Sequence, residues 1–239
     1  MPLSEMVIKS KLIPPQPQKA VFHRGRLEER LVSSKRYPLT MVHAGTGFGK
    51  TTALIELSKS YDKVYWYNIA EPDRDPTLFL AHLLSAFLPN TESLLERLEK
   101  GGGTANTAII NALINQLTTD LEEEAVLILD DFHLVNNVTD INNWLEQLVE
   151  QRPPHLHIAI ACRQIPETPA FIRWRVKGNV LVVDQSDLSF TQKEILGLFT
   201  DHYQFAISDE QAQTLFSYTD GWIIALQMVW QRLQTSRSK

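Results

Sequence analysis

One stretch constrains the fold of this chain more than any other. The β-formers Thr40-Met41-Val42-His43 run into Ala44-Gly45-Thr46-Gly47-Phe48-Gly49, which ends in Lys50-Thr51-Thr52. A helical pattern, Ala53-Leu54-Ile55-Glu56-Leu57, follows directly. Strand, glycine-rich turn and helix in this order predict a phosphate-binding loop. The glycines at 45, 47 and 49 let the backbone turn tightly with positive φ and bring several N–H groups together. Such a nest at the head of a helix, where the dipole favours negative charge, suits a phosphate chain. Ala44, Gly45, Thr46, Gly47, Phe48, Gly49, Lys50, Thr51 and Thr52 are therefore candidate nucleotide contacts. Lys50 is expected at the β- and γ-phosphates and the Thr51 hydroxyl on Mg²⁺. Ala44 stands where the strict motif has glycine, so a plain glycine turn between strand and helix is the competing reading.

A second stretch supports the first. Ala125-Val126-Leu127-Ile128-Leu129 is continuously apolar and runs into Asp130-Asp131, as a parallel strand buried on both faces does. Acids at the C-terminal end of such a strand face the ligand crevice of an open α/β sheet. Asp130 is placed to hold Mg²⁺ through its water shell, and Asp131 to orient an attacking water. An acidic turn after a core strand is the bland alternative.

The chain of 239 residues carries a formal net charge of −5, with no Lys/Arg block, which makes this stretch a poor candidate for direct DNA binding. Its single cysteine, Cys162, excludes an internal disulfide and fits a reducing cytoplasm. No signal peptide and no run of membrane-spanning length are present, so no membrane contact is expected.

Elsewhere, Ile13-Pro14-Pro15-Gln16-Pro17 reads as an extended lead-in, and Leu27 and Leu31 mark a short helix starting near Arg26. The turn before that helix either packs on the sheet edge or touches the nucleotide base. Residues 63–68 read as a strand. Asp73 and Asp75 could face the γ-phosphate, although Asp75 before Pro76 reads better as a helix cap. Gly101-Gly102-Gly103 is expected to be a flexible break, with a helix from Ala108 to Leu121 and another from Ile141 to Val149. Leu156 to Arg163 reads as a buried strand, with Cys162 in the core. Arg163 would emerge beside Asp131, either sensing the γ-phosphate or closing a salt bridge. Residues 180–183 form a fifth strand, and Arg173 and Arg175 before it are weaker phosphate candidates. From Leu188 the pattern is helical, with capping boxes at Thr191-Glu194 and Ser208-Gln211. Trp222, after Gly221, either packs near the base or joins a helical core.

These residues together resemble the nucleotide-binding module of signal-transduction ATPases of the STAND class. The branch is that of the maltose-regulon activator and the large ATP-binding LuxR-type regulators. The resemblance is carried by Lys11-Leu12-Ile13-Pro14-Pro15, Arg24 and Arg26, residues 44–52, Trp66 and Asp73-Arg74-Asp75-Pro76. It continues through Asp130-Asp131-Phe132-His133, Arg163, Leu188-Ser189-Phe190-Thr191 and Gly221-Trp222. It implies a switch that holds ADP at rest, self-associates with ATP and an inducer, and is reset by hydrolysis. It also implies that the turn holding Arg24 and Arg26 contacts adenine. In that class, inducer and DNA contacts lie in C-terminal segments that this chain lacks, so a fragment or stand-alone remnant is expected.

The expected fold is α/β: a three-layer phosphate-loop core with a mainly parallel five-stranded sheet, residues 1–187, then a small helical lid subdomain, residues 188–239. The expected function is slow ATP hydrolysis as a switch, with Lys50, Asp131 and Arg163 as catalytic residues. A phosphate-loop kinase or other phosphotransferase, or a module that binds nucleotide without hydrolysing it, are the alternatives.

Overall fold

The computed structural model describes residues 2–16, 21–88 and 91–237. Pro17, the end of the expected lead-in, and Ser238-Lys239 lie outside them. The chain begins with α1 (Leu3–Met6), a 3₁₀ turn at Lys9–Leu12 and α2 (Gly25–Val32), then enters β1 (Leu39–His43) and α3 (Lys50–Ser58). It continues through β2 (Lys63–Asn68), α4 (Pro76–Phe87), α5 (Glu92–Asp120), β3 (Ala125–Asp130), α6 (Thr139–Gln151) and β4 (Leu156–Cys162). Next come α7 (Pro169–Val176), β5 (Val180–Val183), α8 (Gln185–Leu188) and α9 (Gln192–Gly197). A π turn at Leu198–His202, α10 (Asp209–Thr219) and α11 (Ile223–Arg237) complete it.

The five strands form one sheet in the order β2-β3-β4-β1-β5, and every pairing is parallel. The continuous apolar runs arise because both sheet faces are covered. In β3, Ala125, Leu127 and Leu129 pack into one core with α4, α5 and α6, while Val126 and Ile128 pack into another with Leu54 and Leu57 of α3 and Leu31 of α2. These are the three layers. Asp75 accepts from the N–H groups of Thr77 and Leu78 at 2.8 and 3.0 Å, so it caps α4, with Pro76 in the first turn.

The glycine triplet does not break the chain. Gly101, Gly102 and Gly103 lie inside α5, which starts at Glu92 rather than at Ala108. Each glycine costs about 1 kcal/mol relative to alanine in a helix. Leu95 and Leu98 are buried before the triplet, and Ile109, Ile110, Leu113 and Leu117 after it. Each buried aliphatic side chain contributes about 1.5–3 kcal/mol, so packing on both sides outweighs the local preference.

Both capping boxes close. Thr191 Oγ1 accepts from the Glu194 N–H, and Ser208 Oγ from the Gln211 N–H, each at 3.2 Å. The helices that follow gather a third, smaller core of Phe190, Ile195, Leu198, Phe199, Ala212 and Leu226, whereas Leu188 packs with the sheet.

Candidate functional site

The sheet order decides the geometry. β4 alone separates β1 from β3, so the glycine loop after β1, the acids after β3 and the residue after β4 share one edge. The loop turns through Gly47 at φ 79° and Gly49 at φ 83°, and α3 begins at Lys50. The Lys50 ammonium donates to the carbonyl oxygens of Ala44 and Gly45 at 3.0 and 2.9 Å. The Thr51 hydroxyl donates to Asp130 Oδ2 at 2.7 Å, and Asp130 Oδ1 accepts from the Asp131 N–H at 3.0 Å. Burial pushes the Lys50 pKa down, opposed by the nearby charge of Asp131. Burial also raises the Asp130 pKa, opposed by the Thr51 hydrogen bond. Both charges are strained by desolvation in the same small volume.

Asp131 adopts the left-handed conformation at φ 57°, which Asp tolerates better than most residues. This turn exposes half of its side chain (51%) and sets it 3.7 Å from His133 Nδ1. Arg163 follows β4 and is exposed; its charge reaches both Lys50 and His133. Neither ring nitrogen of His133 makes a hydrogen bond, and burial, then the Arg163 charge, lower its pKa. His133 was legible only as the Phe-His after the acids, without a role. Gln185, which no sequence signal marked, lends its side-chain oxygen to the Gly45 N–H at 3.3 Å.

The helical segment sits over the loop. The Trp222 indole donates to the Thr46 carbonyl at 3.1 Å, and its ring lies 6.2 Å from that of Phe48. A Cβ on Gly47 would overlap Ile224 and the Trp222 indole, so glycine is needed there twice, for its φ and for this approach. Trp222 thus touches the loop backbone itself. Gly221, at φ 73°, packs against the Phe190 backbone, where any side chain would overlap.

Other candidates point elsewhere. Arg24 donates to the carbonyls of Leu188 and Ser189 at 2.8 and 2.7 Å and to Glu194 at 3.2 Å, with its guanidinium over the Phe190 ring. Arg26 donates to the carbonyls of Asp187 and Ser189. Both side chains, expected at the nucleotide, are spent on the junction between sheet and helical segment. Asp73 is fully buried, paired with Lys11 at 2.7 Å and beside His82, so it does not face the loop. Arg173, on α7, pairs with Glu146 and Glu150 of α6, and Arg175 is exposed on α7. Arg173 shares a cleft with Pro38, which precedes β1, so it lies at the opposite end of the sheet from the phosphate loop.

Among the described residues no cluster of three or more His, Cys, Asp or Glu could hold a metal ion. A hydroxyl and a carboxylate 2.7 Å apart are hard oxygen donors of the kind Mg²⁺ takes when phosphates and water complete its shell. The residues present fit that ion together with a nucleotide.

A parallel sheet with helices on both faces, a glycine loop at the head of α3 and twin acids one strand away define a three-layer phosphate-loop α/β fold. The chain belongs to the AAA domain family, which matches residues 34–162. The HTH-type transcriptional regulator MalT of Cronobacter sakazakii is 26% identical over 227 residues, 94% of this chain and 25% of that protein. MalT of Yersinia pestis matches at the same identity and coverage. The chain spans a quarter of the length of these relatives. Among solved structures, a STAND protein with a tetratricopeptide repeat sensor from Pyrococcus horikoshii superposes with TM-score 0.63 at 22% identity, covering 91% of this chain and 30% of that one. Cdc6p from Pyrobaculum aerophilum superposes with TM-score 0.52 at 17% identity, covering 87% and 58%. The resemblance to the maltose-regulon-activator branch of the STAND class holds along nearly the whole chain. No helix among the described residues is long and apolar enough to cross a membrane.

Proposed function

We propose that residues 1–187 are a nucleotide-binding core and residues 188–239 a helical lid, together a slow ATP-hydrolysing switch within a longer cytoplasmic regulator. The observation that carries this reading is the Thr51–Asp130 hydrogen bond at 2.7 Å. It joins the glycine loop to the twin acids at the one place where a magnesium nucleotide needs both.

The ligands are ATP and ADP with Mg²⁺. Lys50 and the loop N–H groups of residues 44–52 neutralise phosphate charge, and phosphate beside Lys50 offsets the desolvation that lowers its pKa. Thr51 and Asp130 hold the cation, whose charge favours the ionised form of the buried Asp130 carboxylate. Asp131 orients the attacking water, and Arg163 answers charge at the γ-phosphate. Trp222 lets the lid read whether the loop is filled. Arg24 and Arg26 act on the nucleotide indirectly, through the junction they hold, while the turn before α2 supplies base contacts. Self-association in the ATP state and inducer contacts belong to the same proposal, and the likeness to HTH-type transcriptional regulators supports DNA contacts in segments other than this one.

Phosphate release from ATP, measured with and without small-molecule acceptors, tests this. Continuing release without an acceptor, on the order of 10⁻³ s⁻¹ as for intrinsic switch hydrolysis, is expected. Phosphorylated acceptor would replace the reading with a kinase, and bound but unturned ATP with a pure binding module.

A further inference from the structure

At the N-terminal end of the sheet, opposite the glycine loop, lies a cleft of about 380 Å³. Pro38 before β1, Arg152 just after α6, Arg173 and Trp174 on α7, and Lys177 and Asn179 between α7 and β5 line it. Its volume is within the range that holds small organic ligands, roughly 300–1,000 Å³. β1 has five residues, so at about 3.3 Å per residue the cleft and the glycine loop are separated by the height of the sheet.

The charges lining this cleft do not balance. Arg173 is answered by two carboxylates, Glu146 at 2.5 Å and Glu150 at 2.7 Å. Arg152 forms an ion pair with none of the described residues. Its one hydrogen bond among the described residues runs from Nη1 to the Val149 carbonyl at 3.1 Å, and its Nε is buried without a partner. Burial lowers its pKa. Lys177 makes no ion pair among the described residues. The Trp174 indole N–H lies toward Glu150 yet closes no hydrogen bond, and Glu150 is already held by Arg173. His157, which feels the Arg152 charge, is satisfied by Tyr37 and Thr40, and as a base it could only add positive charge.

Capping the C-terminus of α6 needs only one donor of a solvated arginine. It does not account for the Nε, which is buried and unpartnered in an otherwise half-buried side chain with no counter-ion among the described residues, an arrangement that carries a cost. Donors dominate the wall: two guanidinium groups, an ammonium and the Asn179 amide. The only carboxylate among the lining residues is engaged.

We propose that this cleft binds a small oxyanion-bearing ligand, a carboxylate or a phosphate monoester, with Arg152 and Lys177 supplying the charge, Asn179 the rim and the buried Trp174 ring the floor. The site is independent of the nucleotide reading and would stand if that reading failed.

The test uses the whole chain with excess MgADP and follows the Arg152 Nε–H and Trp174 indole signals by NMR. Glycerol 3-phosphate and succinate are the two probes. A saturable shift of both signals is expected with at least one probe, and which probe saturates assigns the oxyanion. Arg152→Gln should weaken that binding about tenfold or more. Lys177→Gln, at an exposed position, should weaken it too and guards against a folding defect in the first variant. No saturable shift with either probe up to about 20 mM, a range that reaches millimolar dissociation constants, overturns the proposal. So does unchanged affinity in both variants. The two signals report on the cleft whether or not MgADP binds, so failure here is distinct from failure at the glycine loop.

Discussion

The Thr51 hydroxyl donates to Asp130 Oδ2 across 2.7 Å, from a residue 79 positions away. Nothing local brings them together. β1 and β3 flank β4 in the sheet, and each ends at the same edge. The loop after one strand and the acid ending the other then meet. The same edge gathers Lys50, Asp131, His133 and Arg163 within electrostatic reach of one another.

Lys50 is the first residue to test. Its ammonium already sits in the loop, bonded to the carbonyls of Ala44 and Gly45. Charged hydrogen bonds of the kind it would make to phosphate contribute about 1.5–3 kcal/mol each. Lys50→Ala is expected to weaken MgATP binding roughly a hundredfold by calorimetry, about 3 kcal/mol. Wild-type affinity in the variant would remove Lys50 from the phosphates.

Asp131 should separate binding from turnover. It is half exposed and makes only a 3.7 Å approach to His133, so its loss leaves the Thr51–Asp130 contact in place. Asp131→Ala is expected to bind ATP within about threefold of wild type while hydrolysis falls about 10²- to 10⁴-fold, the usual worth of a positioned base. An undiminished rate would show that another group handles the water.

Much of this site could be read from local pattern, because local pattern is what forms it. The runs at 125–129 and 158–162 are apolar throughout because two layers cover them, and two of the three loop glycines, Gly47 and Gly49 but not Gly45, stand where φ turns positive. The Asp75 cap and the two capping boxes are contacts over two or three residues. What escaped depends on partners far away. Arg24 looked like a nucleotide contact, yet its hydrogen-bond partners are more than 160 residues on. Gln185 meets Gly45 from 140 residues away. The glycine triplet read as a break because its helix is stabilised by side chains one or two turns to either side, not by the glycines.

That helix makes its own prediction. Gly101 lies within α5 and is only partly buried. Alanine should stabilise a helical position by about 0.5–1 kcal/mol, which raises Tm by roughly 1–4 °C in a chain of this size. Thermal unfolding of Gly101→Ala measures it. A lowered Tm would mean that the residue leaves the helix in solution.

Trp222→Phe keeps the ring near Phe48 and deletes the N–H that reaches the Thr46 carbonyl at 3.1 Å. One such bond contributes about 1 kcal/mol, so the lid should release the loop about fivefold more readily. Stopped-flow dissociation of MgADP is expected to quicken by that factor, with Tm lowered by no more than roughly 2–4 °C. A dissociation rate equal to wild type would detach the lid contact from nucleotide exchange.

His157 should make stability depend on pH. It is 5% exposed, and burial pushes its pKa from 6.5 down to about 4. Its Nδ1 lies 2.6 Å from the Tyr37 carbonyl and its Nε2 3.1 Å from the Thr40 hydroxyl. The neutral ring satisfies both, donating from Nδ1 and accepting at Nε2. Because the folded value lies below the unfolded one, the unfolded chain binds the extra proton first. The stabilisation is complete above about pH 6.5 and is lost as pH falls toward 4, on the order of 3 kcal/mol in all. Urea midpoints of the wild type and of His157→Gln, measured from pH 7.5 to 4.5, isolate this contribution, since glutamine offers one donor and one acceptor but does not titrate. The wild type should lose more stability than the variant across that interval, and parallel curves would assign the acid sensitivity to other groups.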